Sequence, residues 1–515
     1  MKPIVFFCVI FFLFSCNKNE PQTDYLGIVK LEVSGTKTAI PHFEKGLLLL
    51  HSFEYVDARE SFLKAQQVDP KMVMAYWGEA MTYNHSLWRG QDYLNGFSAL
   101  EKLELQGEIE GQSSVEKDFL KAVEILYKPK TSKNDRDTAY MKYMEGLYKK
   151  YPSNHEVAAF YALSLLGSVA EGRNDSIYGL GADVANRILK ENAKHPGALH
   201  YVIHSYDDPD HANLALDAAN AYSQVAPDAS HALHMPSHIY VAMGMWDEVV
   251  SSNINSYQAS LNRMNKKELD NDARGYHAYH WLEYGYLQKG EIEKARNMVF
   301  EMEQFVKDEP SKRARVHMVF LKGTYLMETD LWEDPIANIN IDVSGLNIAV
   351  RTQNNFINGM KAFKTGNLEE IDALIETISN DIEKESLLVS NLSSGFAVCS
   401  TTSRETPDQT DIDESITMKT QLLALRAWKD KSSVEAEQLL KKAVELEKSM
   451  NYSYGPPFIQ KPTHELYAEW LLENNRPEEA KVQYDYSLKI GTKRLMSLNG
   501  VKNSASMIAN ENSIK

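Results

Sequence analysis

The chain has 515 residues, of which 43% are hydrophobic and 24% carry a charge. It is therefore too long for one ordinary hydrophobic core and too polar for a protein that crosses a membrane many times. Its formal net charge of −16 disfavours a nucleic-acid partner, because phosphate binding needs clustered Lys and Arg side chains, and the sequence has no such cluster.

The first residues predict an exported protein that is held to a membrane by lipid. A positively charged start precedes an apolar run at 4–14, which is too short to remain as a spanning helix. The run ends in Leu-Phe-Ser-Cys at 13–16, which resembles the lipobox of bacterial lipoproteins. The resemblance implies a signal peptide at 1–16, a lipidated Cys16, a tether at 17–38 and a place in the bacterial cell envelope, periplasm-facing or surface-exposed. An ordinary secretory signal with an incidental cysteine is the alternative.

A 34-residue periodicity runs through most of the remaining chain. In the first unit, small and aromatic residues are spaced so that two antiparallel helices can cross closely, and a proline ends the second helix: Gly46, Ala58, Phe62, Ala65 and Pro70. This spacing resembles the tetratricopeptide repeat. The resemblance implies an all-α fold, a right-handed α-solenoid of antiparallel helix pairs whose concave face forms a groove.

The periodicity divides the chain into three segments of repeats and a tail. We assign N-terminal repeats to 39–127, central histidine-rich repeats to 128–345, C-terminal repeats to 346–495 and the tail to 496–515. The repeat signal is weakest at 86–135 and 386–414, where Gly, Ser, Asn and Asp concentrate. These two stretches predict long loops or degenerate units.

Histidines recur at the same spacing as the repeats. Shifted by one unit, three of them superimpose on three others: His51 on His85, His200 on His234, and His204 on His238. In each unit they fall on one face of the first helix, because steps of three or four residues return to the same side. His277 and His280 fall on the same face of a later unit. By resemblance to tetratricopeptide domains, that face lines the groove.

Two His-x-x-x-His pairs predict a metal site in this groove. Each pair places two imidazoles one helical turn apart, and neutral imidazoles suit Zn, Cu or Fe better than Ca or Mg. We predict that the ligands are His200, His204, His234 and His238, helped by His51, His85, His277 and His280. Nearby carboxylates are expected to complete the site or to orient the rings: Asp207, Asp208 and Glu283. His231 falls on the same face of its unit, but Pro236 predicts a kinked or late-starting helix, which weakens the assignment of His231 and makes that of His234 marginal.

Several other functions fit the same sequence. One stretch is similar to a segment of uncharacterised bacterial tetratricopeptide proteins: residues 231–240, His-Ala-Leu-His-Met-Pro-Ser-His-Ile-Tyr. This similarity implies the fold but does not imply any particular reaction. A metal-free groove would hold a peptide or an envelope protein. A metal-dependent enzyme would use metal-bound water or a redox metal, although the sequence has no His-Glu-x-x-His motif. A nutrient-binding lipoprotein of the starch-utilisation type and a pH-sensing groove are further alternatives.

Overall fold

The computed structural model describes residues 25–107, 111–170, 172–389, 406–452 and 454–514. Within these ranges the chain forms 23 α-helices, three short 3-10 helices and one two-stranded ribbon. The predicted all-α class is thereby confirmed. The predicted signal peptide at 1–16, with Cys16, lies outside the described residues.

The helices are numbered in chain order. They are α1 (Ile40–His51), α2 (Tyr55–Val68), α3 (Val73–Met81), α4 (Tyr93–Glu104), α5 (Ser114–Leu126), α6 (Lys133–Lys150), α7 (His155–Ser168), α8 (Asp175–Glu191), α9 (Pro196–Ser205), α10 (Leu216–Val225), α11 (Ser230–His234), α12 (Pro236–Met243), α13 (Trp246–Lys267), α14 (Tyr276–Gln288), α15 (Ile292–Asp308), α16 (Lys312–Thr329), α17 (Ile348–Thr365), α18 (Leu368–Ser386), α19 (Gln409–Lys429), α20 (Ser433–Ser449), α21 (Thr463–Glu473), α22 (Pro477–Ile490) and α23 (Leu495–Ile514). The ribbon pairs β1 (Asn84–His85) with β2 (Gly90–Gln91) in antiparallel register.

The helices pack as a solenoid of helix pairs. Each helix of a pair contacts its successor, and alternate helices contact each other to form an inner row: α1 with α3, α7 with α9, α14 with α16, α17 with α19, and α21 with α23. The stretch at 86–135, predicted as loops or degenerate units, contains α4 and α5. The predicted solenoid of helix pairs is therefore confirmed by the packing.

Small residues allow the inner helices to approach closely, as the repeat pattern predicts. The ring of Phe62 on α2 lies between Gly46 on α1 and Gly78 on α3. A Cβ atom would lie 2.7 Å from this ring at Gly46 and 2.4 Å from it at Gly78. Because close-packed atoms cannot approach to such distances, glycine is required at both crossings.

Both ends of the solenoid contact its middle. Helix α1 packs against α9, and Arg263 near the end of α13 forms an ion pair with Asp57 of α2. At the other end, the buried Arg494 forms ion pairs with Glu465 of α21 and Glu328 of α16. The described part of the predicted tether also packs on the repeats, since the amide of Ile28 donates to the carbonyl of residue 194. These long-range contacts bring the first and the last helices against central helices of the row.

The segment at 454–462 lies between α20 and α21 in the sequence and passes across the groove. We call it the crossing segment. Gly455 packs against the ring of Trp281 on α14, where a Cβ atom would lie 2.1 Å from the ring. The side chain of Gln460 donates 2.7 Å to the carbonyl of Phe320 on α16. The crossing segment therefore covers the inner faces of α14 and α16.

The buried apolar residues form two main clusters. One runs from Leu26 to Tyr284 and the other from Val250 to Tyr484. Each cluster therefore continues across one of the predicted segment boundaries, at 127 and at 345. None of the helices in the described ranges is both long and apolar enough to span a bilayer.

Candidate metal centre

Six histidines from four inner helices meet in the groove. They form two groups of three: His200, His204 and His231 in the first group, and His234, His238 and His277 in the second. Within each group, one candidate ligand nitrogen per ring lies within 4.8 Å of the others. The groups adjoin, because the ring centres of His204 and His238 are 6.0 Å apart. The four histidines predicted as ligands are thus brought together and divided between the two groups.

The helix carrying the second group is interrupted, as Pro236 predicts. Helix α11 ends at His234, and Pro236 occupies the first turn of α12, where its missing amide proton has no role in the helix. The rings of His234 and His238 stay on one side of this break, with centres 5.0 Å apart. His231 lies within α11 and joins the first group, so the proline does not remove it from the site.

Hydrogen bonds fix the proton positions in the second group. The amide nitrogen of Asn253 donates to the carbonyl of Val249, so its Oδ1 accepts 2.7 Å from Nδ1 of His234. Nδ1 of His238 donates 2.6 Å to a carboxylate oxygen of Asp207. In a neutral imidazole with a protonated Nδ1, the other nitrogen carries a bare lone pair. With both rings neutral, both Nε2 atoms are acceptors, and they face each other at 3.2 Å.

A shared metal ion produces about this distance, as does a hydrogen bond in which one ring donates from Nε2. With metal–nitrogen bonds of about 2.0–2.1 Å and tetrahedral angles, two ligand nitrogens lie about 3.3 Å apart. Without an ion or a shared proton, two lone pairs at this separation repel each other. The orienting bonds from Asn253 and Asp207 are of the kind that metal-bound histidines make through their second nitrogen.

The first group also presents bare nitrogens. Nδ1 of His200 donates 2.8 Å to the backbone carbonyl of His51, which leaves its Nε2 as an acceptor. The Nε2 atoms of His200, His204 and His231 are buried, and none has a hydrogen-bond partner among the described residues. Because burying a polar atom without a partner is unfavourable, three such atoms in one place indicate a missing ligand.

Burial keeps these rings neutral. Loss of water, together with the neighbouring His238, lowers the pKa of His234 to about 3. The pKa values of His200, His204, His231 and His277 are lowered well below that of an exposed imidazole for the same two reasons, burial and the repulsion of nearby imidazoles. Neutral imidazole is the form that binds metal, so the rings are ready to coordinate at neutral pH.

Aromatic side chains surround the two groups. The Trp281 ring lies 4.5 Å from that of His238 and 4.8 Å from that of His234, and Phe53 lies 4.3 Å from His200. Tyr454 of the crossing segment lies 6.3 Å from His238. His231 and His277 are the half-buried members of the two groups, whereas the other four histidines are buried. Aromatic side chains therefore border the site, and His231 and His277 are its more exposed histidines.

His51 lies in a separate buried network. Its two ring nitrogens contact Tyr201 at 2.8 Å and Glu156 at 2.7 Å. His195 contacts the other Glu156 oxygen at 3.1 Å and accepts from the amide of Ala198. Electrostatic interaction and hydrogen bonds with His195 and His51 hold the pKa of Glu156 below its usual range, against the effect of burial. Every ring nitrogen here has a partner, and the backbone carbonyl of His51 accepts from Nδ1 of His200. His51, Glu156 and His195 also have the spacing of a three-ligand cluster.

His85 and His280 also lie apart from the two groups. His85 stacks on Tyr55 with ring centres 4.0 Å apart and contacts the carbonyl of Thr82. Nε2 of His280 contacts the hydroxyl of Thr324 at 2.8 Å. Neither belongs to a three-ligand cluster among the described residues.

The three carboxylates named from the sequence have different surroundings. Asp207 orients His238, whereas Asp208 contacts His211 and Arg173. Both carboxylate oxygens of Glu283 are buried, and neither has a hydrogen-bond partner among the described residues. Burial and the neighbouring Glu328 raise the pKa of Glu283 well above its usual value. Of the three, only Asp207 contacts a member of the two groups.

Two supporting residues had no signal in the sequence. Asn253 lies on α13 of the outer row, and Glu156 lies at the start of α7. Neither belongs to a histidine-containing motif, and their partners lie 19 and 105 residues away. An alignment of the 34-residue units could have marked Asn253 as a polar residue on a face that packs inward.

The comparisons with known proteins give fold-level likeness only. No family model and no curated protein matches the chain. Among solved structures, yeast Tom70 is 10% identical with a TM-score of 0.34, over 92% of this chain and 89% of that one. The Cut9 chain of the APC/C hetero-tetramer Cut9-Hcn1 is 13% identical with a TM-score of 0.37, over 92% and 77%. Human IFIT1, in a dimer with m7Gppp-AAAA, is 11% identical with a TM-score of 0.36, over 95% and 84%. At these values the neighbours carry no argument about function.

Proposed function

We propose that the groove binds a transition metal ion through His234, His238 and His277. The observation that carries the proposal is the pair of acceptor nitrogens of His234 and His238, which face each other at 3.2 Å while their other nitrogens donate elsewhere. An ion between them replaces lone-pair repulsion with two coordinate bonds. His277 supplies the third nitrogen within reach.

The donor set favours zinc, copper or iron. Three neutral imidazoles suit these ions, and three protein ligands leave one tetrahedral position for water or another small ligand. A closed structural site would use four protein ligands. A metal-dependent enzyme is therefore the alternative within this proposal, with metal-bound water as its reactive group.

Elemental analysis tests the site directly. The chain without residues 1–16 is to be purified, incubated with Zn, Cu or Fe, and desalted before metal is measured. We expect bound metal in the parent and its loss in the double variant His234→Gln, His238→Gln. His155→Gln is the matched control, because His155 is a partly exposed histidine that pairs with Glu191. A parent that retains no metal under any of these conditions refutes the proposal, and circular dichroism checks that the double variant is folded.

We also propose that the protein is anchored in the bacterial envelope through lipidated Cys16 and meets a peptide or protein partner there. The support is the Leu-Phe-Ser-Cys pattern at 13–16. Expression of the full chain in a bacterial host should give a form that partitions into detergent, and Cys16→Ser should move it to the aqueous phase. Equal partitioning of the two forms contradicts the anchor without bearing on the metal site.

A further inference from the structure

The first histidine group has the features of a second metal site. The Nε2 atoms of His200, His204 and His231 are all buried without partners among the described residues. The ligand nitrogens of this group lie within 4.8 Å of one another. The ring of His200 is held by the carbonyl of His51, so that its bare nitrogen turns away from that bond. This observation is independent of the close nitrogen pair in the second group.

The network around Glu156 provides an internal contrast. It brings together two histidines and a carboxylate, His51, His195 and Glu156, and all three are buried. There, each ring nitrogen has a hydrogen-bond partner, from Tyr201, Glu156 or a backbone amide. The histidines of that cluster are therefore satisfied by their neighbours. The unsatisfied nitrogens of the first group point to a ligand.

We infer that His200, His204 and His231 bind a second transition metal ion beside the first, so that the groove holds a dinuclear centre. The inference rests on the proposed function, since the partner ion is the one at His234, His238 and His277. The two groups are neighbours along the groove, with the rings of His204 and His238 6.0 Å apart. Two-metal sites in enzymes hold their ions about 3.5–4 Å apart, a separation that one small bridging ligand can span.

The charge of the site indicates which class of ligand this pair of ions would bind. All six ligands are imidazoles, which supply no negative charge, and Asp207 is the carboxylate that contacts them, through His238. The positive charge of two ions is therefore largely uncompensated in a buried place, where an unpaired charge is unfavourable. A small anion that bridges the ions relieves this charge. The class of ligand is thus an anionic oxygen or nitrogen donor, such as hydroxide or the oxyanion of a substrate, and azide is a suitable probe.

The metal content of matched variants separates the second ion from the first. We would load the chain lacking residues 1–16 with Cu(II) and measure copper per chain after desalting. We expect two ions in the parent, one in His204→Gln, His231→Gln, one in His234→Gln, His238→Gln, and two in the control His155→Gln. One ion in the parent, lost only in the His234 and His238 variant, overturns the second site and leaves the first. No copper in the parent overturns the dinuclear centre, and no zinc or iron either refutes the proposed function itself.

Electron paramagnetic resonance tests whether the two ions are neighbours. Two adjacent Cu(II) ions couple, so the parent should give less signal per copper than the His204→Gln, His231→Gln variant with its single ion. Azide should change the visible absorption of the parent at a lower concentration than in either single-site variant. Two ions with uncoupled signals, or equal azide responses in parent and variants, would contradict a dinuclear centre. Because both double variants are compared with each other as well as with the parent, a folding defect in one of them is detectable.

Discussion

Acidification is expected to destabilise the metal-free protein strongly, because folding keeps several histidines neutral. Burial lowers the pKa of His234, His280 and His317 to about 3, from the 6.5 of an exposed imidazole. As the pH falls below about 6.5, the unfolded chain takes up protons on these rings and the folded chain does not. The stabilisation is therefore complete above the unfolded pKa and is lost progressively as the pH falls from about 6.5 towards 3.

The size of the effect follows from the pKa difference. At about pH 5.5, one pH unit below the unfolded pKa, each ring lowers the free energy of unfolding by about 1.4 kcal/mol relative to about pH 7.5. The three rings together account for about 4 kcal/mol, which is a large part of the about 5–15 kcal/mol that stabilises a typical domain. The other histidines of the two groups, whose pKa values are also lowered, act in the same direction.

Urea unfolding followed by circular dichroism measures this effect. The experiment is run at both pH values with a chelator present, so that metal does not hold the rings neutral. His280→Gln removes one titrating ring while keeping a polar partner for Thr324, and should reduce the loss by about 1.4 kcal/mol. His155→Gln, at a partly exposed position, should leave the loss unchanged. Equal unfolding free energies at the two pH values in the parent would refute the reasoning, as would an unchanged loss in His280→Gln.

Two further predictions concern the site and the repeats. Asp207→Asn keeps an oxygen for the Nδ1 proton of His238 but removes the charge, so metal affinity measured by chelator competition should fall about 10–100-fold. Gly78→Ala would place a methyl group 2.4 Å from the ring of Phe62, and should lower the free energy of unfolding in urea by about 1–3 kcal/mol. Adding Phe62→Leu to the same chain should restore part of that loss.

Each of these substitutions has a matched control in the chain. Asp210→Asn changes an exposed carboxylate near Asp207 and should leave metal affinity unaltered. Gly146→Ala replaces a helical glycine with open space around it, and should stabilise the protein by about 0.5–1 kcal/mol because alanine favours the helix. A metal affinity of Asp207→Asn equal to that of the parent would show that the carboxylate does not tune His238. If the two alanine variants change the free energy of unfolding equally, the contact with Phe62 does not restrict the size of the residue at the helix crossing.

The local patterns of the sequence were enough for the fold class and for the face of each helix that lines the groove. Small residues at fixed spacing predict close helix pairs, and Gly46 and Gly78 do lie against one ring. The 34-residue shift predicts that His204 and His238 are neighbours, because equal steps along a solenoid bring equivalent residues side by side. Pro236 predicts the break after α11. These features depend on residues within one or two units, where sequence separation and distance in space agree.

The same 34-residue shift did not predict the surroundings of every histidine. His51 and His85 superimpose as well as the other pairs, yet His51 packs against Glu156 and His85 stacks on Tyr55. The cause is the curl of the solenoid, which brings α1 against α9, about 150 residues further along the chain. Such a contact depends on the rotation accumulated over several units, which no single repeat encodes.

The sequence by itself therefore determined the helix pairs and the shared helix face that carries His200, His204, His234 and His238. Only the tertiary structure decided that the six rings divide into two groups of three, that Asn253 and Asp207 orient the second group, and that the crossing segment covers the neighbouring helices. The physical reason is range. Helix periodicity fixes the direction in which a side chain points, whereas the twist between successive units and the contacts between distant units fix which side chains meet.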